Sequence, residues 1–506
     1  MTEVFLSLLL ALQIAMGAFD TLYHHELTER LAWRSTAARE LKLHAVRNGF
    51  YSVLFLLAAW TEPKGLIAAL VLGVLAVELV ITLTDFVEED MTRRLPASER
   101  VTHTLLAVNY GAILAFIGPM LWQWAADPTG LGFVSRDWLS VLMTVSGLGV
   151  GVFGVRDWLA SQRAPRLALP DAAELVSALR GRQRIVVTGA TGFIGTRLVA
   201  ALTAAGHDVI ALVRSRQKAS ELPAPITLVE SLDEIASDTA IDAIVNLAGS
   251  PVADAPWTRR NRHRILRSRL KMGRAVERLV DRLEHPPGVV VTASAIGFYG
   301  ECGDVQVCEV DRPAKAGAGS FSHRSCAAVE ARAMRLRAYG VRVVALRIGL
   351  VLDHEGGMLA RMLPAFDLGL GGRIGDGRQW MSWISRADVV RLIAHAVASP
   401  DVDGALNATA PLPVRNSAFT AALGEVLGRP AFMWIPAWPI RAVLGQMGRE
   451  ILLGSQRVLP AKALATGFQF RHAKIEDALA EAVGAQTNVG SAMQPTFARE
   501  LARAVS

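Results

Sequence analysis

Hydrophobic residues are distributed unevenly along this chain of 506 residues. The first third holds five long apolar runs with few charges, and the remainder alternates short apolar runs with polar segments, as soluble α/β proteins do. The long runs approach the length of about 20 residues that a helix needs to cross a bilayer. They are Val4–Phe19, Ala45–Trp60, Gly65–Thr84, Thr104–Trp124 and Trp138–Leu159. The pattern predicts an N-terminal all-α membrane bundle of about five helices, followed by an α/β domain.

Basic residues in the loops between these runs predict an orientation. Arginine and lysine are concentrated in the first and third loops, whereas the second and fourth loops offer only Lys64 and Arg136. By the positive-inside rule, the first and third loops are cytoplasmic. We therefore expect an integral, multi-pass membrane protein in contact with the lipid bilayer. Its N-terminus would lie outside, and everything after Leu159 would lie in the cytoplasm.

The apolar third also carries acidic and histidine side chains. Glu40 precedes His44 by four residues, and Glu99 precedes His103 by four. That spacing places both side chains on one helical face, as a metal site requires. We favour the alternative, ion pairs at the headgroup boundary, and predict no metal site. Glu78 lies within the third apolar run, where an ionisable group is costly, so we expect it to face the interior and to bind something or carry protons.

A strand pattern followed by three glycines is the most informative motif of the chain. Ile185 to Thr188 read as a buried strand, and Gly189, Gly192 and Gly195 follow before a helix pattern. The first glycine permits a tight turn, the second lets the backbone approach a pyrophosphate, and the third lets the helix pack closely. The pyrophosphate would bind the free N–H groups of the helix N-terminus. The motif predicts a dinucleotide site, and a glycine turn without a ligand is the alternative.

The residues after the second strand indicate which dinucleotide is bound. An acidic residue there would bind the ribose hydroxyls of NAD, but the sequence has Val213-Arg214-Ser215. A guanidinium and a hydroxyl suit a 2′-phosphate, so NADP is favoured over NAD. A solvated arginine at a strand end is the competing interpretation. Strand and helix patterns alternate from Gln183 onward, which predicts a Rossmann-like, doubly wound parallel sheet.

Further motifs of the second part resemble one family. They are Asn246 to Gly249, Ser268-Arg269, Val289 to Gly300, Leu346 to Leu352, Gly371 to Ile384 and Asn407 to Pro411. Together they resemble the extended short-chain dehydrogenase/reductases, and within these the atypical "epimerase family" oxidoreductases, a sugar-nucleotide-epimerase-like group of largely unassigned substrate. The segment from Pro430 to Leu479 is similar to that group's small C-terminal domain. The resemblance covers about residues 185–482 and does not extend to the membrane part.

The resemblance implies cofactor contacts at the positions that match the family's motifs. These are Gly189, Ala190, Thr191, Gly192, Phe193, Ile194, Gly195, Arg214, Leu247, Ala248, Arg269 and Val351. The expected domains are a membrane domain (1–160), a linker (161–183), an NAD(P)-binding Rossmann domain (184–425), a family-specific C-terminal domain (426–486) and a tail (487–506).

The catalytic pair that is usual in the superfamily is absent. A tyrosine there generally exchanges a proton, and a lysine four residues later lowers its pKa. None of the five tyrosines has that lysine, and the aligned positions are Ser322 and Cys326. What remains is Ser294, in register with the family's carbonyl-polarising serine, and Tyr299, either a proton donor or a packing residue at a strand end. The residues expected to line the substrate side are Gln379, Trp380, Trp383 and Arg386.

Three functions are compatible with these motifs. The first is a membrane-anchored NADP(H)-dependent oxidoreductase or epimerase-like protein that acts on an unidentified carbonyl or hydroxyl compound. The second is a catalytically silent NADP(H)-binding scaffold or sensor coupled to the membrane domain, and the third is electron delivery from NADPH to a metal in the bundle. The net charge of +7 does not indicate nucleic acid, because the arginines are scattered. The sequence does not indicate an oligomeric state.

Overall fold

The computed structural model describes residues 2–93, 95–167, 172–219, 222–313 and 319–485. The chain divides into two compact units, residues 1–168 and 169–506, and the division falls within the predicted linker. Each unit has its own buried apolar core. The predicted tail, residues 487–506, lies outside the described residues.

The first unit is helical, as predicted. Its long helices, within the described residues, are Thr2–Phe19 (α1), Ala38–Trp60 (α2), Leu66–Thr92 (α3), Ala97–Trp124 (α4) and Trp138–Arg163 (α5). Two short strands, Thr61–Lys64 (β1) and Gly130–Phe133 (β2), pair antiparallel. The segments that are long and apolar enough to cross a membrane are Val4–Trp33, Leu66–Thr92, Ala97–Trp124 and Trp138–Leu167. Helix α2 has a comparable length but is charged in its first half, so it is not among these four.

The helical unit places apolar side chains outside and polar side chains inside. Leu8, Val80, Val108 and Val152, on four different helices, are each more than half exposed. Glu78 of α3 is fully buried, as predicted, and accepts hydrogen bonds from the side chains of Tyr51, Thr82 and Tyr110. This distribution is typical of helices that face lipid, because the bilayer solvates apolar groups and excludes unpaired polar ones.

A seven-stranded parallel sheet forms the centre of the second unit. Its strands are Arg184–Thr188 (β3), Asp208–Leu212 (β4), Thr227–Val229 (β5), Ala243–Asn246 (β6), Val289–Ala295 (β7), Arg342–Ile348 (β8) and Gly404–Ala408 (β9). The spatial order is β9-β8-β7-β6-β3-β4-β5, and every neighbouring pair is parallel. The strands are rich in β-branched residues that are fully buried, such as Val187, Val245 and Val344. Such strands are buried on both faces, which requires helices on both sides of the sheet.

Helices cover the two faces of this sheet, which confirms the doubly wound architecture. The main ones are Phe193–Ala204 (α6), Arg259–Arg282 (α7), Phe321–Met334 (α8) and Arg386–Ala398 (α10), whereas Gly357–Asp367 (α9) packs against the separate strand Leu350–Asp353. Leu198 of α6 and Leu392 of α10 belong to one buried cluster. Leu279 of α7 and Ala333 of α8 belong to another, against the opposite face. Each cluster includes inward side chains of the central strands.

The small C-terminal domain is interleaved with the Rossmann domain. Helix Asn416–Leu427 (α11) leads into it across the predicted boundary, and its own helices are Ala437–Met447 (α12), Ala461–Ala465 (α13) and Ile475–Val483 (α14). Its strand Met433–Ile435 pairs with Gly372–Ile374, and its strand Arg457–Val458 pairs with Gln306–Val307. The C-terminal segment therefore completes sheets that begin in the preceding domain.

Candidate dinucleotide-binding and active site

The glycine loop connects the end of β3 to the start of α6. Gly189 has a φ of +71°, and a Cβ there would lie 2.9 Å from the backbone nitrogen of Ala248. A Cβ on Gly195 would lie 2.1 Å from the carbonyl oxygen of Gly189, which no side chain can do. The amide of Gly192 donates to that same oxygen at 2.9 Å, and α6 begins at the next residue. Close backbone packing therefore excludes any side chain at Gly189 and Gly195.

A polar ladder fixes the sheet edge beside this loop. The Thr188 hydroxyl donates to Asn246 Oδ1 at 2.7 Å, and Asn246 Nδ2 donates to the Thr292 hydroxyl at 3.0 Å. All three side chains are buried. Because β3, β6 and β7 are parallel, their carboxyl ends meet at this edge, where open α/β sheets bind ligands. The free N–H groups of the first turn of α6 point to the same edge.

Apolar members of the predicted cofactor set lie together beside the loop. Ile194, Leu247 and Val351 are partly buried and pack against one core cluster, of which Ala190 is a buried member. The ring of Phe193 packs against Gly356, where a Cβ would lie 2.5 Å from the ring. The side chain of Phe193 therefore serves packing, and only its backbone remains for a ligand.

Arg269 of α7 lies over the segment that follows β6. Its guanidinium donates to the carbonyl oxygen of Ser250 at 2.9 Å and lies so close to Gly249 that a Cβ there would be 2.9 Å from Cζ. Burial lowers the pKa of Arg269 below its usual range. The neighbouring Ser268 hydroxyl accepts the backbone N–H of Ser250 at 2.9 Å. The Ser-Arg pair therefore holds the loop after β6 in place.

Arg214 is exposed just beyond the carboxyl end of β4. Among the described residues it has neither an ion-pair partner nor a hydrogen-bond acceptor for its guanidinium. Arg216, two residues later, instead donates to Glu234 at 3.0 Å. Of these two arginines, Arg214 is the one whose charge is free to bind a ligand.

Ser294 belongs to a buried charged network. It stands near the end of β7, and its hydroxyl donates to Glu330 Oε1 at 2.7 Å. Arg347 binds both oxygens of the same carboxylate, with distances of 3.0 and 2.9 Å. Arg347 and Glu330 are 5% and 7% exposed. This bidentate pair fixes the Ser294 hydroxyl from the side that faces away from solvent.

Tyr299 is fully buried at the other end of the same network. Its phenol donates to Asn407 Oδ1 at 2.8 Å and accepts from Arg347 Nη1 at 2.9 Å. Burial raises the pKa of Tyr299 above its usual range. Since the phenol is occupied by protein groups on both sides, the geometry favours the packing interpretation of Tyr299 over the proton-donor interpretation.

A carboxylate from the C-terminal domain lies where the family's catalytic tyrosine is expected. The Ser322 hydroxyl donates to Glu450 Oε2 at 2.6 Å, and the amides of Phe321 and Ser322 donate to the same carboxylate at 3.2 and 3.0 Å. Glu450 thus caps the N-terminus of α8 and complements the helix dipole. Cys326 is one turn further along α8, where burial raises the pKa of its thiol. Sequence reasoning missed Glu450, because it is 128 residues from Ser322 and carries no motif of its own.

A cavity of about 380 Å³ opens beside Ser322 and Glu450. Its other lining residues are Gly300, Glu301, Ser320, Gln446, Arg449, Gly454 and Gln456. Apart from the two glycines, every lining side chain is polar or charged. The cavity is therefore suited to a ligand with several hydrogen-bonding groups.

One of the four residues predicted on the substrate side lies elsewhere. Trp383 is fully buried in the core, and Arg386 is buried and ion-paired with Asp353 at 3.5 Å. The prediction is wrong for Trp383, because its segment folds into a short core strand. Arg386, in the helix after it, lines a small cavity of about 20 Å³, and its place on the substrate side stays a prediction. Gln379 and Trp380 do line a cavity, a separate one of about 30 Å³.

Both family models that match this chain lie within the second unit. Residues 185–408 match the NAD dependent epimerase/dehydratase family, and residues 435–482 match a domain of unknown function, DUF1731. An epimerase family protein of Mycobacterium bovis is 38% identical over 295 residues, 58% of this chain and 96% of the relative. A chloroplast relative in Arabidopsis thaliana is 37% identical, over 58% of this chain and 85% of that protein. The crystal structure of human epimerase family protein SDR39U1 with NADPH is 33% identical, with a TM-score of 0.54, over 59% of this chain and 99% of that one.

Proposed function

Because the chain belongs to the epimerase family of NAD(P)-binding proteins, we propose that it is a membrane-anchored oxidoreductase or epimerase-like enzyme. It uses NADP(H) to act on a carbonyl or hydroxyl compound. The observation that carries the proposal is the glycine loop, whose backbone packing leaves no room for a side chain at Gly195. When bound, the nicotinamide supplies a hydride acceptor or donor. The test is NADPH and NADH binding by the purified full-length protein, measured by calorimetry.

The residues around the loop fit a dinucleotide. The first-turn amides of α6 would hold the pyrophosphate, and Leu247 and Val351, with Ala248 next in the chain, would supply apolar contacts beside it. Arg269 positions the loop after β6. The human relative, whose crystal structure is described with NADPH, supports the same cofactor here. The free guanidinium of Arg214 supports binding of NADP(H), the dinucleotide that carries a 2′-phosphate.

Replacing Arg214 by glutamate is expected to weaken NADPH binding by about 10- to 100-fold and NADH binding far less. A charge-assisted hydrogen bond to the 2′-phosphate contributes about 1.5–3 kcal/mol, and only NADPH carries that phosphate. Parallel titrations with both dinucleotides measure the difference. Arg216→Glu is the matched control, since Arg216 already binds Glu234. Equal losses for NADPH and NADH in Arg214→Glu would contradict the preference for NADP.

Ser322 and Glu450 are the groups that handle the substrate proton in this proposal. The Ser322 hydroxyl alone is too weak an acid, but its hydrogen bond to Glu450 lets the carboxylate take or return the proton. Both residues line the polar cavity, whereas Tyr299 lies in the interior. Ser294 contacts the substrate carbonyl, and Glu330 and Arg347 hold it in place. Tyr299 is a positioning residue, since it acts through Arg347 and Asn407.

Glu450→Gln is expected to lower the rate of hydride transfer by about 100-fold, while Tyr299→Phe retains most of it. General acid–base groups contribute roughly 10²–10⁴-fold, and the amide keeps the size of the carboxylate but not its basicity. The measurement is deuterium transfer from labelled NADPH to a panel of polar carbonyl compounds. If Tyr299→Phe lowered the rate of hydride transfer and Glu450→Gln did not, Tyr299 would be the residue that handles the proton and Glu450 would not. Transfer to no compound, despite tight NADPH binding, would favour the scaffold function.

Four apolar helices and the buried polar interior of the first unit support membrane anchoring. We expect the full-length protein to stay in the membrane pellet after an alkaline carbonate wash, since about 20 apolar residues per helix must leave water. Reporter fusions test the orientation, with the N-terminal fusion outside and the C-terminal fusion in the cytoplasm. Release of the protein by carbonate would contradict membrane anchoring. Reporter fusions that place the two termini on the opposite sides would contradict only the predicted orientation.

A further inference from the structure

The helical unit changes helix type where its polar residues begin. After α1 the chain continues as a π-helix over Asp20–Thr28, in which each amide bonds five residues back. In that geometry Asp20 and His25 lie on one face of the helix. Segments of π-helix are rare and occur frequently at functional sites. Both side chains are buried, at the point where the apolar part of the span Val4–Trp33 ends.

Side chains from three other helices converge on His25. Nitrogen and oxygen atoms of His25, His44 and Glu89 lie within 4.8 Å of one another, and so do those of Asp20, His25 and His103. Glu89 Oε2 is also 3.3 Å from His103 Nδ1, so it links the two groups. The five residues therefore form one cluster, which we call the histidine–carboxylate cluster.

Several atoms of this cluster approach one another without forming hydrogen bonds. His25 Nε2, His44 Nε2 and Glu89 Oε2 are buried, and none has a partner with hydrogen-bond geometry among the described residues. His44 Nε2 lies 3.1 Å from Asp85 Oδ2, and His25 Nε2 lies 3.4 Å from Asp20 Oδ2. His25, His44 and Glu89 are 8%, 2% and 1% exposed. Buried polar atoms are normally paired, because an unpaired one loses its interaction with water without replacement. A bound cation would satisfy nitrogen and oxygen atoms that lie this close together.

The charges around the cluster are also unbalanced. Its buried carboxylates, with the adjoining ones, are Asp20, Glu40, Asp85, Glu89 and Glu99. Two guanidiniums face them: Arg47 donates to Asp85 at 2.7 Å, and Arg93 donates to both Glu40 and Glu99. With neutral histidines, three negative charges remain in the interior. Burying that excess is costly, so either protonated imidazoles or a cation must offset it.

We propose that the histidine–carboxylate cluster binds a divalent transition-metal ion. His25, His44 and Glu89 are its ligands, and Asp20 and His103 complete the coordination. A set of imidazoles and carboxylates without thiolates suits Zn²⁺, Fe²⁺ or Mn²⁺ and disfavours Ca²⁺ or Mg²⁺, which take oxygen ligands. The inference does not depend on the proposed NADP(H) chemistry, since every ligand belongs to the first unit.

The ion would be accessible to small molecules. Asp20 and His103 also line an interior cavity of about 280 Å³, whose walls are otherwise mostly apolar and include Ile14, Phe86 and Phe153. Structural metal sites are closed by protein ligands, whereas reactive ones keep a position open. The cavity thus gives this site room for an exogenous ligand.

The test uses the full-length protein in detergent, stripped with a chelator and titrated with Co²⁺ and then Zn²⁺. We expect about one ion per chain and visible ligand-field bands of Co²⁺ with nitrogen and oxygen ligands. His44→Ala should bind at least tenfold more weakly. Glu26→Gln is the control, because Glu26 lies on the same π-helix as His25 but its carboxylate is bound by Arg156 and not by a member of the cluster.

Three results would overturn the proposal. They are a wild-type protein that binds neither ion, a Co²⁺ spectrum unchanged by Glu89→Gln, and an equal loss in Glu26→Gln and His44→Ala. Far-ultraviolet circular dichroism and gel filtration of the same detergent samples report whether the helical unit of each variant is folded. If His44→Ala does not fold, the wild-type titration and Glu89→Gln still decide the question. Normal NADPH binding without metal binding would refute this site and leave the proposed function untouched.

Discussion

Replacing Gly195 by alanine is expected to weaken dinucleotide binding by about 100-fold or more. The new Cβ would lie 2.1 Å from the carbonyl oxygen of Gly189, so the loop and the start of α6 must move apart. Overpacking a rigid site costs about 1–3 kcal/mol, and the displaced amides then no longer point at the pyrophosphate. Calorimetric titration of the full-length variant with NADPH measures the loss.

Gly288→Ala is the matched control for this substitution. A Cβ on Gly288 meets only the carbonyl oxygen of Asp242, at the ordinary contact distance of 3.6 Å. This control should therefore bind NADPH like the wild type. Unchanged NADPH binding in Gly195→Ala would show that the loop does not form the pyrophosphate site, and the proposed function would fail with it.

Arg347→Met is expected to lower the free energy of unfolding of the second unit by about 3–5 kcal/mol. The substitution leaves the Glu330 carboxylate buried without its guanidinium partner, and a broken buried pair costs that amount. It also removes the donor to the Tyr299 phenol. Pulse proteolysis across a urea series, applied to the full-length protein, measures the change in the second unit.

The exposed ion pair between Arg337 and Asp403 provides the control for Arg347. Both partners are about half exposed, and such pairs contribute about 0–1 kcal/mol. Arg337→Met should therefore shift the urea midpoint little. If both variants lost equal stability, the network around Ser294 would not be the rigid support that its burial indicates.

Local patterns made the second unit predictable from sequence. The three glycines directly follow the strand from Ile185 to Thr188. Short-range geometry explains each glycine, through the backbone conformation or the close packing that its position requires. Parallel strands buried on both faces also give continuous apolar runs, which are easy to recognise. The position of Arg214 at a strand end follows directly from the same pattern.

Long-range contacts explain what the sequence did not reveal. Glu450 reaches Ser322 across 128 residues, so no spacing rule could connect them. Trp383 is an aromatic residue of the kind that lines binding pockets, but it lies in the core. Tertiary packing alone decides between these two positions. The pairing of Asp20 with His25 requires π-helical geometry, which a search at the α-helical period does not find.

The interleaving of the C-terminal domain affects how the protein can be divided. A fragment that ends at residue 425 would lose Glu450 from the first turn of α8, and Gly372–Ile374 and Gln306–Val307 would each lose their strand partner. Exchanging the C-terminal segment between homologues would, in contrast, transplant Arg449, Glu450 and Gln456 as one wall of the polar cavity. Chimeras made in this way would change the lining of the polar cavity while leaving the glycine loop intact.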